Sequence, residues 1–165
     1  MGQEAGDTGV RFADRESVEQ VEIGLELAPK FDADGLVPVV TTDAASGAVL
    51  MLGWMNAEAL RRTIETRLAH YWSRSRQALW HKGAHSGFFQ HVEALLVDDD
   101  QDALILQVRL EGPGSCHVGY RSCFYRAIDL DAAGGGGVVP LRMTETEKAF
   151  DADTVYAGLE NPTRL

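Results

Sequence analysis

Six residues within a stretch of 26 hold most of the chemistry this chain can offer. They are Asp98, Asp99, Asp100 and Asp102, followed by both cysteines of the protein, Cys116 and Cys123. Carboxylates are hard donors and suit Mg²⁺ or Ca²⁺, whereas thiolate and imidazole suit Zn²⁺. In an extended segment alternate residues share a face, so Asp98, Asp100 and Asp102 project together. Three like charges so close repel unless a cation sits among them. The plain alternative is an acidic surface turn. An EF-hand is excluded, because the run lacks the glycine at its sixth position and the glutamate at its twelfth. Asp99 points away from its neighbours, towards a side that Cys116 and Cys123 can reach across a turn. A thiolate pair with one further protein ligand leaves a fourth zinc position for water, whose pKa zinc lowers to about 7. His117, next to Cys116, is a candidate ligand or general base. Buried free thiols remain the competing reading of the two cysteines.

A second feature precedes these residues. The chain carries a net charge of −10, yet no Asp or Glu lies between Glu65 and Glu93. That window contains Arg67, Arg74, Arg76 and Lys82 together with His70, His81, His85 and His91. It suits a landing surface for an anionic ligand, with Arg and Lys able to hold phosphate oxygens; the plain alternative is a chance fluctuation along a solvated face. The acidic total argues against non-specific nucleic-acid binding.

The elements that must position these groups follow from composition and pattern. At 165 residues the chain suits one domain with an ordinary core. No apolar run approaches the roughly 18 residues that would span a bilayer. No signal-peptide core is present in the polar start, so a cytoplasmic location is expected. Residues 1–20 read as a mobile part of a polar leader reaching to residue 30. Leu36 to Thr42 reads as a strand, with Pro38 suggesting an edge. A turn at Asp43 to Gly47 and an apolar run from Ala48 to Met55 complete a hairpin. Asn56 caps a helix over Ala57 to Arg67, with Leu60 and Ile64 facing the core. Strands are expected at Ala69 to Trp72, Leu79 to His81, Phe88 to Val97, Ala103 to Leu110 and Ser122 to Ile128. A glycine-rich break at Ala133 to Gly137 precedes a polar tail with a short helix near Thr144 to Ala149. The fold class is α+β, a compact single domain rich in antiparallel strands with one main helix. The organisation is leader 1–30, domain 31–130 and tail 131–165.

Several longer motifs then fall into order. Asp34-Gly35-Leu36-Val37-Pro38 is followed by Val49-Leu50-Met51-Leu52-Gly53-Trp54-Met55-Asn56 and by Tyr71-Trp72-Ser73-Arg74-Ser75-Arg76. Leu79-Trp80-His81-Lys82-Gly83, Ser86-Gly87, Gln90, the aspartate run, Cys116-His117 and Ser122-Cys123-Phe124 complete the set. Together they resemble the phosphoribosyl-AMP cyclohydrolase family of histidine biosynthesis. The resemblance implies an intertwined homodimer with metal sites at the subunit interface. It implies hydrolytic opening of the purine ring of N1-(5-phosphoribosyl)-AMP between N1 and C6, giving a formimino imidazole carboxamide. It implies Mg²⁺ on Asp98, Asp100 and Asp102, Zn²⁺ on Cys116 and Cys123, and His117 assisting the water. Trp72, Ser73, Arg74, Ser75, Arg76, Lys82, Gly83, Ser86, Gly87 and Gln90 are then the substrate-binding set, with Trp72 or Trp80 stacking on the purine. The glycines would let backbone approach the ligand. The family usually has cysteine where this chain has Asp99, so Asp99 is a possible zinc ligand in its place. About 37 residues follow Ile128, too few for the pyrophosphohydrolase domain fused to some members, so a monofunctional enzyme is expected. A hydrolase or deaminase acting on another purine nucleotide, or a non-catalytic metal- or nucleotide-binding paralogue, are the alternatives.

Overall fold

The computed structural model describes residues 9–165. After a short helix α1 (Val18–Ile23), strand β1 (Val37–Asp43) pairs antiparallel with β2 (Val49–Met55). Helix α2 (Ala57–Thr66) follows, and a second hairpin joins β3 (His70–Ser73) to β4 (Ala78–His81). Strands β5 (Gln90–Val97) and β6 (Leu104–Leu110) form the third hairpin. Because β6 lies parallel against β1, the central four-stranded sheet runs β2-β1-β6-β5.

The main helix forms where capping and periodicity agree. Asn56 accepts from the Ala59 amide, Arg67 closes the last turn in a left-handed conformation, and Leu60 is fully buried with Ile64 packed beside it. With the β3–β4 hairpin, α2 covers one face of the sheet. Val37, Val39, Met55, Leu60, Tyr71, Leu104 and Leu106 meet there in the core. The opposite face carries a row set by register: Leu52 pairs with Val40, Val40 with Ile105, and Ile105 with Leu96. Leu52, Ile105 and Leu96 stay exposed.

Four expectations are corrected. Pro38 does not mark an edge: β1 is central, but β6 joins it only from Val39 onwards, so the proline sits at the strand start where its missing N–H is tolerated. The expected strand over Ser122 to Ile128 shrinks to β7 (Arg126–Ile128), because the Ser122 hydroxyl and Cys123 amide turn aside to bond the Val49 and Leu50 carbonyls. Its partner is β8 (Leu141–Met143), on the far side of the glycine-rich break. The tail helix forms at α3 (Ala152–Val155), where Asp151 supplies the cap, rather than near Thr144 to Ala149. Of the leader, residues 1–8 lie outside the described residues, and the rest is docked rather than free. Phe12 packs against the core, and Arg15 donates to the carbonyls of Ala28 and Asp100 at 2.5 and 2.8 Å.

A chain of buried polar groups crosses the core. Tyr71 donates its hydroxyl proton to Gln90 Oε1 at 2.7 Å, so the 2.6 Å contact with Thr41 has Thr41 as donor. Burial pushes the tyrosine far above its ordinary range. Replacing Tyr71 by Phe keeps the ring and leaves both partners unpaired. The expected cost is about 1–3 kcal/mol, read as a fall in the unfolding midpoint; unchanged stability would mean the chain of bonds carries no net energy.

Candidate metal and substrate site

Strand β6 separates two clusters. At one end, the β5–β6 turn groups Asp98, Asp100 and Asp102 so that one oxygen of each lies within 4.8 Å of the others. The grouping comes from a tight turn, not from strand alternation: Gln101 takes a left-handed φ of 59°, and Asp98 Oδ1 accepts from the Asp102 and Ala103 amides. Gln101 fixes the turn from below, its buried side chain accepting from the Ala28 amide and donating to the Val21 carbonyl. Desolvation and the Asp100 and Asp98 charges raise the pKa of the Asp102 carboxyl. The set suits a hard divalent cation, which would relieve that repulsion. Asp99 is exposed beside it.

At the other end of β6 the chain turns through residues 111–125 and brings the cysteines together. The Cys123 amide donates to the Leu50 carbonyl at 2.7 Å. The Gly119 amide donates to the Cys116 carbonyl at 3.0 Å, which closes the loop around the first cysteine. Both thiols are free and in hydrogen-bonding contact. The Cys123 contact holds the pKa of Cys116 down to about 6, helped by backbone donors and the Lys82 ammonium. The same contact and burial push Cys123 up. The pair shares one proton, and this is a donor set a thiophilic cation fits by displacing that proton. His117 stands beside it with Nε2 buried and unpartnered among the described residues. Burial and the Lys82 charge lower its pKa, so the imidazole is neutral at pH 7. The two clusters are divided by the 7 residues of β6, about 20 Å of strand, so Asp99 does not join the cysteines of its own chain. The turn expected to bring them to one side leads away instead.

The segment 51–125, which holds all these groups, matches the family model "Phosphoribosyl-AMP cyclohydrolase". The phosphoribosyl-AMP cyclohydrolase of Rhodopseudomonas palustris strain HaA2 is 51% identical over 140 residues, covering 85% of this chain and 93% of that protein. Those of Caulobacter vibrioides strain NA1000 / CB15N and Chelativorans sp. strain BNC1 are 56% and 52% identical, each over 72% of this chain and over 86% and 84% of their own lengths. This chain belongs to the phosphoribosyl-AMP cyclohydrolase family. A hydrolase fold of that family therefore carries the cysteine pair.

Within this cyclohydrolase framework the acid-free window divides into two roles. Arg74, Ser75 and Arg76 are exposed on the β3–β4 turn. The Arg74 guanidinium lies 4.6 Å over Trp54, and Arg76 donates to Ser73 Oγ at 3.1 Å. Ser86 is half-buried, and Gly87 at φ +77 has open space where a Cβ would stand. Other residues expected to bind substrate face inward. Lys82 is buried, donates to the Ser115 carbonyl at 2.7 Å and lies near both thiols, so it is no exposed phosphate partner. Gln90 is fully buried, with its amide spent on Tyr71, Ser115 and Met51; it holds the cysteine loop and does not meet a ligand. Gly83 is buried, and a Cβ added there would stand 2.6 Å from the Phe89 backbone. Trp80 has the Lys82 amine at 5.0 Å and Arg76 at 5.7 Å from its ring centre and packs on the core, leaving half-buried Trp72 as the hairpin's freer tryptophan. Tyr71, Ser115, Glu145 and Tyr156 carry no site signal in the sequence. Only the buried network and the folded-back tail reveal them.

Two outcomes follow. In metal-free protein, thiolate absorbance should rise with one midpoint at about 6 while the second thiol stays protonated beyond the ordinary cysteine value; Lys82→Met should move that midpoint up. Two independent thiols titrating at about 8.5 would contradict the shared proton. In chelator, Asp100→Asn should raise the unfolding midpoint by removing like-charge repulsion, and should abolish the rise that Mg²⁺ gives the wild type. A Mg²⁺ response unchanged by this substitution would place the cation elsewhere.

Proposed function

We propose that this chain hydrolyses the purine ring of N1-(5-phosphoribosyl)-AMP, acting in the cytoplasm as a homodimer that uses Zn²⁺ and Mg²⁺. Water oxygen ends on C6 as the carboxamide oxygen, the C6–N1 bond breaks, and N1 remains in the formimino link. The observation that carries the reading is the proton-sharing Cys116–Cys123 pair, beside Lys82 and a neutral His117, inside the segment that matches the family. The relatives bear the name of this activity. No helix among the described residues is long and apolar enough to cross a membrane.

When bound, zinc on Cys116 and Cys123 supplies Lewis acidity that makes water nucleophilic at neutral pH, and magnesium on Asp98, Asp100 and Asp102 neutralises phosphate charge. The residues divide the remaining work. His117 Nε2, lacking a partner among the described residues, accepts a proton from the attacking water. Lys82 keeps the sulfur pair anionic from within the protein. Arg74 and Arg76 hold phosphate oxygens from the exposed hairpin, with Ser73, Ser75 and Ser86 as neutral donors and Trp72 against the base.

A second copy is supported by the separation of Asp99 from the cysteines and by the open apolar row of Leu52, Val40, Ile105 and Leu96. With a two-fold axis, each chain's Asp99 can serve its partner's sulfur pair. Asp99→Ala and Cys116→Ser should each lose ring opening. After mixing and subunit exchange, random pairing should restore about a quarter of wild-type activity, because one heterodimer site keeps both residues. No recovery in demonstrably exchanged dimers would rule out a shared site. Cys116→Ser that turns over normally would remove the zinc-pair reading itself.

A further inference from the structure

The tail beyond the glycine-rich break returns to the cysteine loop. Glu145 accepts from the Arg121 and Ser122 amides with its two oxygens, at 3.1 and 3.2 Å. The Gly119 carbonyl accepts from the Ala149 amide at 2.8 Å. Two glycines of the loop are shaped to this segment. A Cβ on Gly114 would stand 2.9 Å from the Phe150 ring, and one on Gly119, at φ +108, would stand 2.8 Å from the Phe150 carbonyl oxygen. Contacts this short exclude any larger residue without moving the tail. Phe150 also packs edge-on against Phe88 at 5.0 Å.

Past α3 the same segment reaches the substrate side. Tyr156 stacks on His85 with ring centres 6.3 Å apart, and its hydroxyl lies close enough to Ser86 for the serine to act on its protonation. Asn161 lies close enough to His117 to act on its protonation, raising the pKa that burial lowers. The segment therefore touches the thiol loop, the proton-accepting imidazole and the acid-free window, though it lies outside the matched stretch 51–125.

We propose that residues 144–161 form a wall of the active site, in which Glu145 is a positioning residue for Ser122 and Cys123 and Tyr156 contacts the phosphorylated nucleotide together with Ser86. The Cys123 amide is already bonded to β2 through Leu50, and Glu145 grips the preceding two amides from the other side. Cys123 is thereby held at two points, which leaves its sulfur a fixed position opposite Cys116. Groups that orient a ligand in this way commonly change metal affinity about 10–100-fold when removed. The Tyr156 hydroxyl, beside a serine of the anion-binding window, is a donor available to the same ligand.

This inference rests on the cyclohydrolase reading, and turnover and zinc content of the wild-type enzyme test that reading separately. For the wall, zinc affinity of the full chain is measured by competition with a chromophoric chelator, and the Co²⁺–thiolate spectrum is recorded. Glu145→Ala should weaken zinc binding at least about tenfold and alter the spectrum. Glu145→Gln, which keeps one accepting oxygen, should recover part of the affinity and guards against a variant that fails to fold. Tyr156→Phe should raise KM for the nucleotide several-fold with zinc affinity and unfolding midpoint unchanged. Wild-type zinc affinity in both Glu145 variants, or wild-type KM in Tyr156→Phe, overturns the proposal.

Discussion

The amide of Gln90 is the joint on which the site depends. Buried at the start of β5, it accepts from Tyr71 and donates to the Ser115 hydroxyl. A buried amide left unbonded costs more than a bonded one returns, so the network is held by the penalty of breaking it. Through Tyr71 it is tied to β3 and, by Thr41, to β1; through Ser115 it is tied to the residue before Cys116. Ser115 also gives its carbonyl to Lys82 just past the end of β4. Main sheet, outer hairpin and cysteine loop thus move as one body.

That rigidity makes the electrostatics workable. A buried ammonium is costly unless a negative charge lies close. Burial lowers the Lys82 pKa, and the nearby sulfur pair, which gives up a proton at a pH where a lone thiol keeps it, offsets part of that cost. Cation and thiolate partly offset each other, and the second thiol stays neutral because its proton is held against Cys116 and because it is buried. A divalent ion changes the balance by favouring loss of the remaining proton, so metal capture by this loop should release protons. Burial, helped by the Lys82 charge, lowers the His117 pKa and favours the neutral imidazole. One buried cation therefore favours the anionic form of the ligands and the basic form of the imidazole.

The elements that carry local signals were legible in the sequence: the first hairpin, the Asn56-capped helix, the β5–β6 pair and the three clustered aspartates. What escaped had no local signal. Lys82 reads as a ligand contact because a cation in an acid-free window invites that role, and Gln90 because it belongs to the motif set of the family; only their burial shows that they face inward. Gly83 reads as room for a ligand, and the room is taken by the Phe89 backbone. Pro38 reads as an edge because sequence does not tell where β6 begins to pair. The tail has little periodicity, and its order comes from contacts made across more than twenty residues, as between Glu145 and Arg121.

Topology explains why Asp99 and the sulfur pair belong to different subunits in the proposed assembly. A hairpin tip and the loop that follows its second strand lie at opposite ends of that strand, so no side-chain rotation within one chain joins them. Packing through the open sheet face with strands antiparallel across the two-fold would bring each tip towards the partner's loop end. Such packing would cover the apolar row that a lone chain leaves in water. In that assembly a carboxylate at Asp99 would bind zinc at roughly 2.0–2.2 Å, shorter than the roughly 2.3 Å of a thiolate. Its oxygen would then have to approach the ion more closely than a cysteine sulfur would. The demand falls on the β5–β6 turn, where Gln101 and Arg15 already tie the backbone to the N-terminal segment. Anchoring of that turn and anchoring of the cysteine loop are then two halves of one requirement, because a ligand set divided between chains is only as well ordered as the two segments that carry it.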